Sequence, residues 1–215
     1  MTTYAKLILG IIVAWFVFAL SASALHLFLN NSRIGAGVGL AAFLPIVIFL
    51  LWFRFSPSFR QFTFSLNPRA LTVTQLWRLI GFQFVLMEAR SLLPAMFALP
   101  AGYGDMFIGA SATLVAWKLA NPDHRSSFIL WQSVGILDLL VAVSLGTTAR
   151  LIDPHGVSMV PMTVLPLSLI PTFFVPLFLI LHIICIAQAR GWTGSSTQRP
   201  VASPLSGSYP SQRPA

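Results

Sequence analysis

Charge is scarce in this chain. Asp, Glu, Lys and Arg make up 8% of its residues, against about 25% in an ordinary soluble domain. A soluble chain this apolar could not cover its own surface, whereas a bilayer acts as the solvent for apolar faces. Acidic residues are the scarcest, five against thirteen Lys and Arg. Cysteine is limited to Cys185, inside a hydrophobic run. One thiol excludes an intrachain disulfide, and a thiol among apolar residues packs as a small hydrophobe. Signatures of soluble catalysis are also absent. There is no P-loop, HExxH or GxSxG, and Gly35-Ala-Gly-Val-Gly39 lacks both a preceding strand and dinucleotide spacing. The chain therefore reads as a non-enzyme without a cofactor.

What is present is long apolar runs. Of 215 residues, 56% are hydrophobic, and the mean hydropathy is +0.82. A spanning helix needs about 20 mostly apolar residues. Six runs qualify, at about Leu7–Leu29, Ile34–Phe53, Leu76–Leu99, Gly102–Ala120, Phe128–Thr148 and Leu169–Gln188. The expected fold is an all-α, polytopic transmembrane bundle over residues 1–190, followed by a tail at 191–215. That tail is rich in Ser, Pro, Gly and Gln and cannot bury enough apolar surface to fold.

The net charge is +8. The basic residues are spread over loops and chain ends without forming a stripe, so orientation explains them and nucleic acid does not. With the N-terminus inside, the inner side receives Lys6, Arg54, Arg60, Arg69, Arg78, Lys118, Arg125, Arg190, Arg199 and Arg213. The outer side receives Arg33 and Arg150, while Arg90 lies within a span. Ten against two, with an even number of spans, predicts both ends in the cytoplasm. The start of the chain has two readings. Lys6, Leu7–Leu20 and Ala22-Ser23-Ala24 resemble a signal peptide with a cleavage site. The apolar run continuing through Leu25–Leu29 favours an uncleaved first helix.

Three loops and motifs concern the lipid. Phe53–Leu66 interleaves aromatics with Arg54 and Arg60, which suits a segment on the inner leaflet, with guanidinium groups on lipid phosphates. Val157–Arg190 is too long for one untilted span, and Pro161, Pro166, Pro171 and Pro176 interrupt it. Its first part, Val157–Pro166, reads as an outer-surface loop or a re-entrant segment shielded by protein. Gly35 and Gly39 form a GxxxG that lets two helices approach closely.

The polar residues within the spans carry most information, because each charge at bilayer depth needs a partner or water. They are Glu88 and Arg90 in the third span, Asp105 in the fourth, Asp138 in the fifth and His182 in the last. From an inner start at Leu76, a rise of about 1.5 Å per residue puts Glu88 roughly 18 Å deep. Asp138 and His182 share that depth, so the three are expected to cluster. Asp105 falls in the first turn of its span, near the outer face, where Arg90 is the expected partner. Gly102-x-x-Asp105-x-x-x-Gly109 also matches Gly135-x-x-Asp138-x-x-x-Ala142 on spans of opposite direction. Chance or a weak inverted repeat of the transporter kind explains the match. His26 and His182 lie at different depths, and His124 and His155 lie on opposite sides, so no metal cluster is expected.

The stretches EARSLLPAMFALPAGYGDMFIGASA (Glu88–Ala112), GILDLLVAV (Gly135–Val143) and IPTFFVPLFLILH (Ile170–His182) resemble a group of uncharacterised bacterial multi-pass membrane proteins. The resemblance implies a bacterial inner-membrane protein and carries no activity. Two functions fit the polar residues. Glu88, Asp138 and His182 would be titratable groups of a proton- or ion-coupled transport or channel pathway, since His changes charge near neutral pH. Alternatively they would hold helices together in a non-catalytic subunit or assembly factor of a membrane complex. Expected partners are the bilayer, anionic lipids of the inner leaflet, and a second copy or a membrane-complex partner.

Overall fold

The computed structural model describes residues 3–29 and 36–192. Every element among them is helical. Five helical stretches are long and apolar enough to cross a membrane: Tyr4–Ala24, Gly37–Phe55, Pro68–Glu88, Pro122–Ala149 and Ile170–Arg190. Residues 193–215 of the tail, Arg33 and Gly35 lie outside the described residues.

The first helix, α1 (Thr3–Ala24), ends in a turn with His26 at φ 57°. The Leu27 amide donates to the Ala22 carbonyl at 3.0 Å and the His26 amide to Ser23, a Schellman closure. Helix α2 (Ala36–Phe55) stops at Ser56. There Ser56 Oγ accepts the Phe59 amide at 3.3 Å and Pro57 opens α3 (Pro57–Ser65). The segment Phe53–Leu66 is thus the end of α2, a cap and a short helix. Phe59 and Thr63, one turn apart, form the buried face of α3. Trp52 stacks on Phe59 at 4.2 Å, and Tyr4 of α1 meets Phe62 at 5.3 Å. Some of the rings expected in the acyl boundary therefore pack on one another. Arg54 is exposed and Arg60 half-buried.

The third stretch departs most from expectation. It begins at Pro68, with Asn67 Oδ1 accepting the Arg69 amide at 2.9 Å. It runs as α4 (Pro68–Val73), a 3-10 segment (Thr74–Gly81) and α5 (Phe82–Glu88). Its buried positions are Thr72, Gln75, Arg78, Gly81 and Phe84. That period of three is the signature of 3-10 winding, which eclipses side chains at i and i+3. The stretch closes at Glu88 with a second Schellman turn. Ser91 takes φ 55°, and the Leu92 amide donates to the Met87 carbonyl at 2.8 Å. Helix α6 (Ala95–Lys118) follows Pro94. The expected third span, Leu76–Leu99, is therefore shifted and broken at residues 89–94.

Helices α6, α7 (Arg125–Ile152) and α8 (Val175–Arg190) form the core with the 3-10 segment. On α7 the buried residues Phe128, Trp131, Gln132, Gly135 and Leu139 follow helical spacing. On α8 Val175, Phe178, Leu179, His182, Cys185 and Ala189 do the same, with Pro176, Ile184 and Gln188 buried beside them. The α7–α8 connection holds a 3-10 turn at Val160–Thr163 and a π-helical turn at Ile170–Phe174. Met162 anchors it on Phe84, Leu93 and Phe97. Within Val157–Pro166 the helical part is the 3-10 turn alone.

Candidate functional site

Arg78 is the centre of the polar interior, with 1% of its side chain exposed. Counted from Pro68, α and 3-10 rises place it about 17 Å along the stretch, near its middle. Its Nε donates to Asp105 Oδ1 at 2.7 Å, and its Nη2 donates to Asp138 Oδ2. Its Nη1 points at the Gly135 carbonyl at 3.4 Å and at His182 Nε2 at 3.3 Å. Four elements thus meet on one guanidinium. Because α6 starts at Ala95, Asp105 lies about 15 Å into it rather than in its first turn.

The network continues away from the carboxylates. His182 Nδ1 faces Gln132 Oε1, Gln132 Nε2 donates to Thr72 Oγ1 at 3.1 Å, and Thr72 donates to the Pro68 carbonyl at 2.8 Å. An amide oxygen only accepts, so His182 carries its proton on Nδ1 and offers the Nε2 lone pair to Arg78. Cys185 Sγ sits 4.0 Å from Thr72 Oγ1. Trp131 donates to Ser111 Oγ at 2.9 Å and packs its ring beside His182.

Glycines make these approaches feasible. A Cβ on Gly104 would overlap the Asp138 carboxylate, one on Gly135 the His182 ring, and one on Gly81 the Asp105 Cβ. In the repeated pattern, Gly102 and Gly109 bring α6 against the third stretch. Their Cβ atoms would lie 2.7 Å from Val85 Cγ2 and 2.7 Å from the Leu79 amide nitrogen.

The structure brings Asp105, Asp138 and His182 together, and leaves Glu88 and Arg90 out. Glu88 ends α5, about 33 Å from Pro68 along the stretch, because the helix begins eight residues earlier than Leu76. Its carbonyl accepts the Ser91 amide at 2.7 Å. Arg90 is exposed in the turn, and Arg78 takes the place beside Asp105 that was expected for it. Gly39 meets nothing within 4 Å of an added Cβ and lines a cavity instead. Among the described residues no three His, Cys, Asp or Glu side chains are placed to hold a metal ion; Asp105, Asp138 and His182 meet on a guanidinium instead.

Sequence reasoning missed Arg78, Gln132 and Thr72. For Thr72 and Arg78 the signal was the helix start at Asn67-Pro68 and the polar triplet Thr72, Gln75 and Arg78 at spacings of three.

A cavity of about 230 Å³ adjoins the cluster. Phe28, Gly39, Thr147, Ser158 and Met162 line it, with Asp105 on its wall. It lies at the end of the bundle where α1 and α7 finish and α2 starts.

The family described as a domain of unknown function (DUF8737) matches residues 36–190. The chain belongs to it. The DUF8737 region takes in α2 to α8 and every member of the Arg78 cluster, and leaves out α1. No curated protein and no solved structure matches the chain.

Proposed function

We propose that this DUF8737 protein crosses a bacterial inner membrane six times, with both ends in the cytoplasm, and performs proton- or cation-coupled transport of a small solute. Helix α6 is the sixth crossing, 24 residues long and less apolar than the other five. The observation that carries the functional reading is the charge count at the cluster. One arginine faces two carboxylates, Asp105 and Asp138, and Asp105 also lines a cavity. One proton or one cation balances the set. Ionisable groups at membrane depth that border a cavity mark ion and solute paths in membrane proteins.

The test is flux. Purified protein in liposomes carrying an internal pH dye should move protons or monovalent cations under an imposed potential, and Asp105→Asn or Asp138→Asn should abolish the flux. Flux no greater than in protein-free liposomes, across protons, alkali cations and small amines, would overturn the reading. The topology is tested by single cysteines in a Cys185→Ser background. Asp123→Cys should label from the cytoplasmic side and Val157→Cys from the outside.

The second reading is a non-catalytic subunit or assembly factor. The four polar partners of Arg78 favour it, because they also serve as a staple between helices. Under that reading, carboxylate variants that keep the fold keep the function.

A further inference from the structure

The cavity has a chemistry that narrows its ligand. Phe84, Phe97, Leu139 and Met162 give it apolar walls, and Asp105 is the charged residue among its lining. Asp105 commits Oδ1 to Arg78, and that guanidinium is shared with Asp138. With both carboxylates ionised, the three groups are one positive charge short. A neutral solute leaves the deficit unchanged and an anion enlarges it. A monocation removes it, and the low dielectric around the site makes the attraction larger than in water. Phenyl faces attract the same charge. The hydroxyls of Thr147, Ser158 and Thr163 on the wall can accept N–H groups.

Size sets the rest. An apolar cavity of about 150 Å³ holds benzene, so about 230 Å³ has room for more than one aromatic ring. A bare metal ion would leave most of that space and its apolar walls unused.

We propose that the cavity binds a small organic monocation with an apolar body, an aryl- or alkylamine of about this volume, with its ammonium group at Asp105. The proposal rests on the reading of this cavity as a solute site and adds the class of solute.

The experiment compares two isosteric probes on the full chain in lipid nanodiscs. 2-Phenylethylamine and 2-phenylethanol share a skeleton and differ in the charged group. Titration calorimetry should give the amine at least tenfold tighter than the alcohol. Asp105→Asn should erase that preference. Gly146→Leu should weaken both probes at least tenfold while leaving the charged groups in place. Gly146 lines the cavity, and a Cβ there makes ordinary contacts, 3.4 Å from Met159 and 3.5 Å from Phe97. If Asp105→Asn fails to fold, the probe pair on the native chain and on Gly146→Leu still decides. Equal binding of amine and alcohol, as for a gap that takes a lipid tail, overturns the proposal. So does an amine preference that survives Asp105→Asn, or amine binding indifferent to Gly146→Leu. Amine binding without flux in liposomes leaves this inference standing and overturns transport. Proton flux without amine binding does the reverse.

Discussion

Replacing Arg78 by Met tests the charge count most directly. The substitution keeps an unbranched apolar stem and removes a guanidinium with four polar partners. Breaking a buried ion pair by removing one member costs about 3–5 kcal/mol, because the other charge is left without compensation. Here two carboxylates lose the same partner, so the loss should sit near the upper end, about 5 kcal/mol. Asp138→Asn acts in the opposite sense on the charge balance. It leaves Arg78 paired one-to-one with Asp105, and the amide oxygen can still accept from Nη2. The change from a charged to a neutral hydrogen bond is worth about 1–2 kcal/mol. Arg78→Met combined with Asp105→Asn and Asp138→Asn should recover most of the stability lost in the single variant. The assay is unfolding in mixed micelles followed by far-UV circular dichroism, with all variants in one lipid-to-detergent ratio. Equal destabilisation by Arg78→Met and Asp138→Asn would refute the reasoning, as would a native-like midpoint for Arg78→Met.

Other substitutions probe separate parts of the argument. Gly104→Ala should destabilise strongly through overlap with Asp138, whereas Gly10→Ala, inside α1 with nothing within 4 Å of the added Cβ, should keep or raise the midpoint in the same unfolding assay. Gln132→Leu severs the link between His182 and Thr72 and should cost about 1–3 kcal/mol, with a double-mutant cycle against His182→Ala showing non-additivity. Ser91→Gly relieves a left-handed residue at φ 55° and should stabilise the fold by about 1 kcal/mol, read as a raised unfolding midpoint. Asn67→Ala removes the cap of the third stretch and should lower stability by about 1 kcal/mol; an unchanged midpoint would mean that packing alone sets that helix start.

Four of the long apolar helices were legible in the sequence from run length, near residues 7–29, 34–53, 128–148 and 169–188, whereas the third and fourth runs were misplaced at their starts. Asp105, Asp138 and His182 stood out as polar residues within such runs, and all three are in the cluster. Arg78 was hidden by its position. A span started at Leu76 leaves it near the surface, where it votes for orientation like any loop arginine. Asn67-Pro68 was the available start signal, but the apolar density near Pro68 is low. Glu88 and Arg90 misled for a related reason. The helix break after them is made by Ser91 in a left-handed conformation, and no glycine marks it. The glycine roles at 81, 104 and 135 were illegible, because each depends on which side chain of another helix fills the space. GxxxG at Gly35 and Gly39 shows the reverse, a motif whose described glycine faces open space.

The 3-10 winding of Thr74–Gly81 gives the molecule a screw. Eight residues at three per turn are about 4 Å longer than the same residues wound as α-helix, and are twisted about 160° further. Axial displacement and rotation are coupled in that one element. Rewinding to α would carry the guanidinium off both carboxylates while drawing the Glu88 end toward the bundle's middle. Loss of the cation's partners and shortening of the stretch are then a single motion.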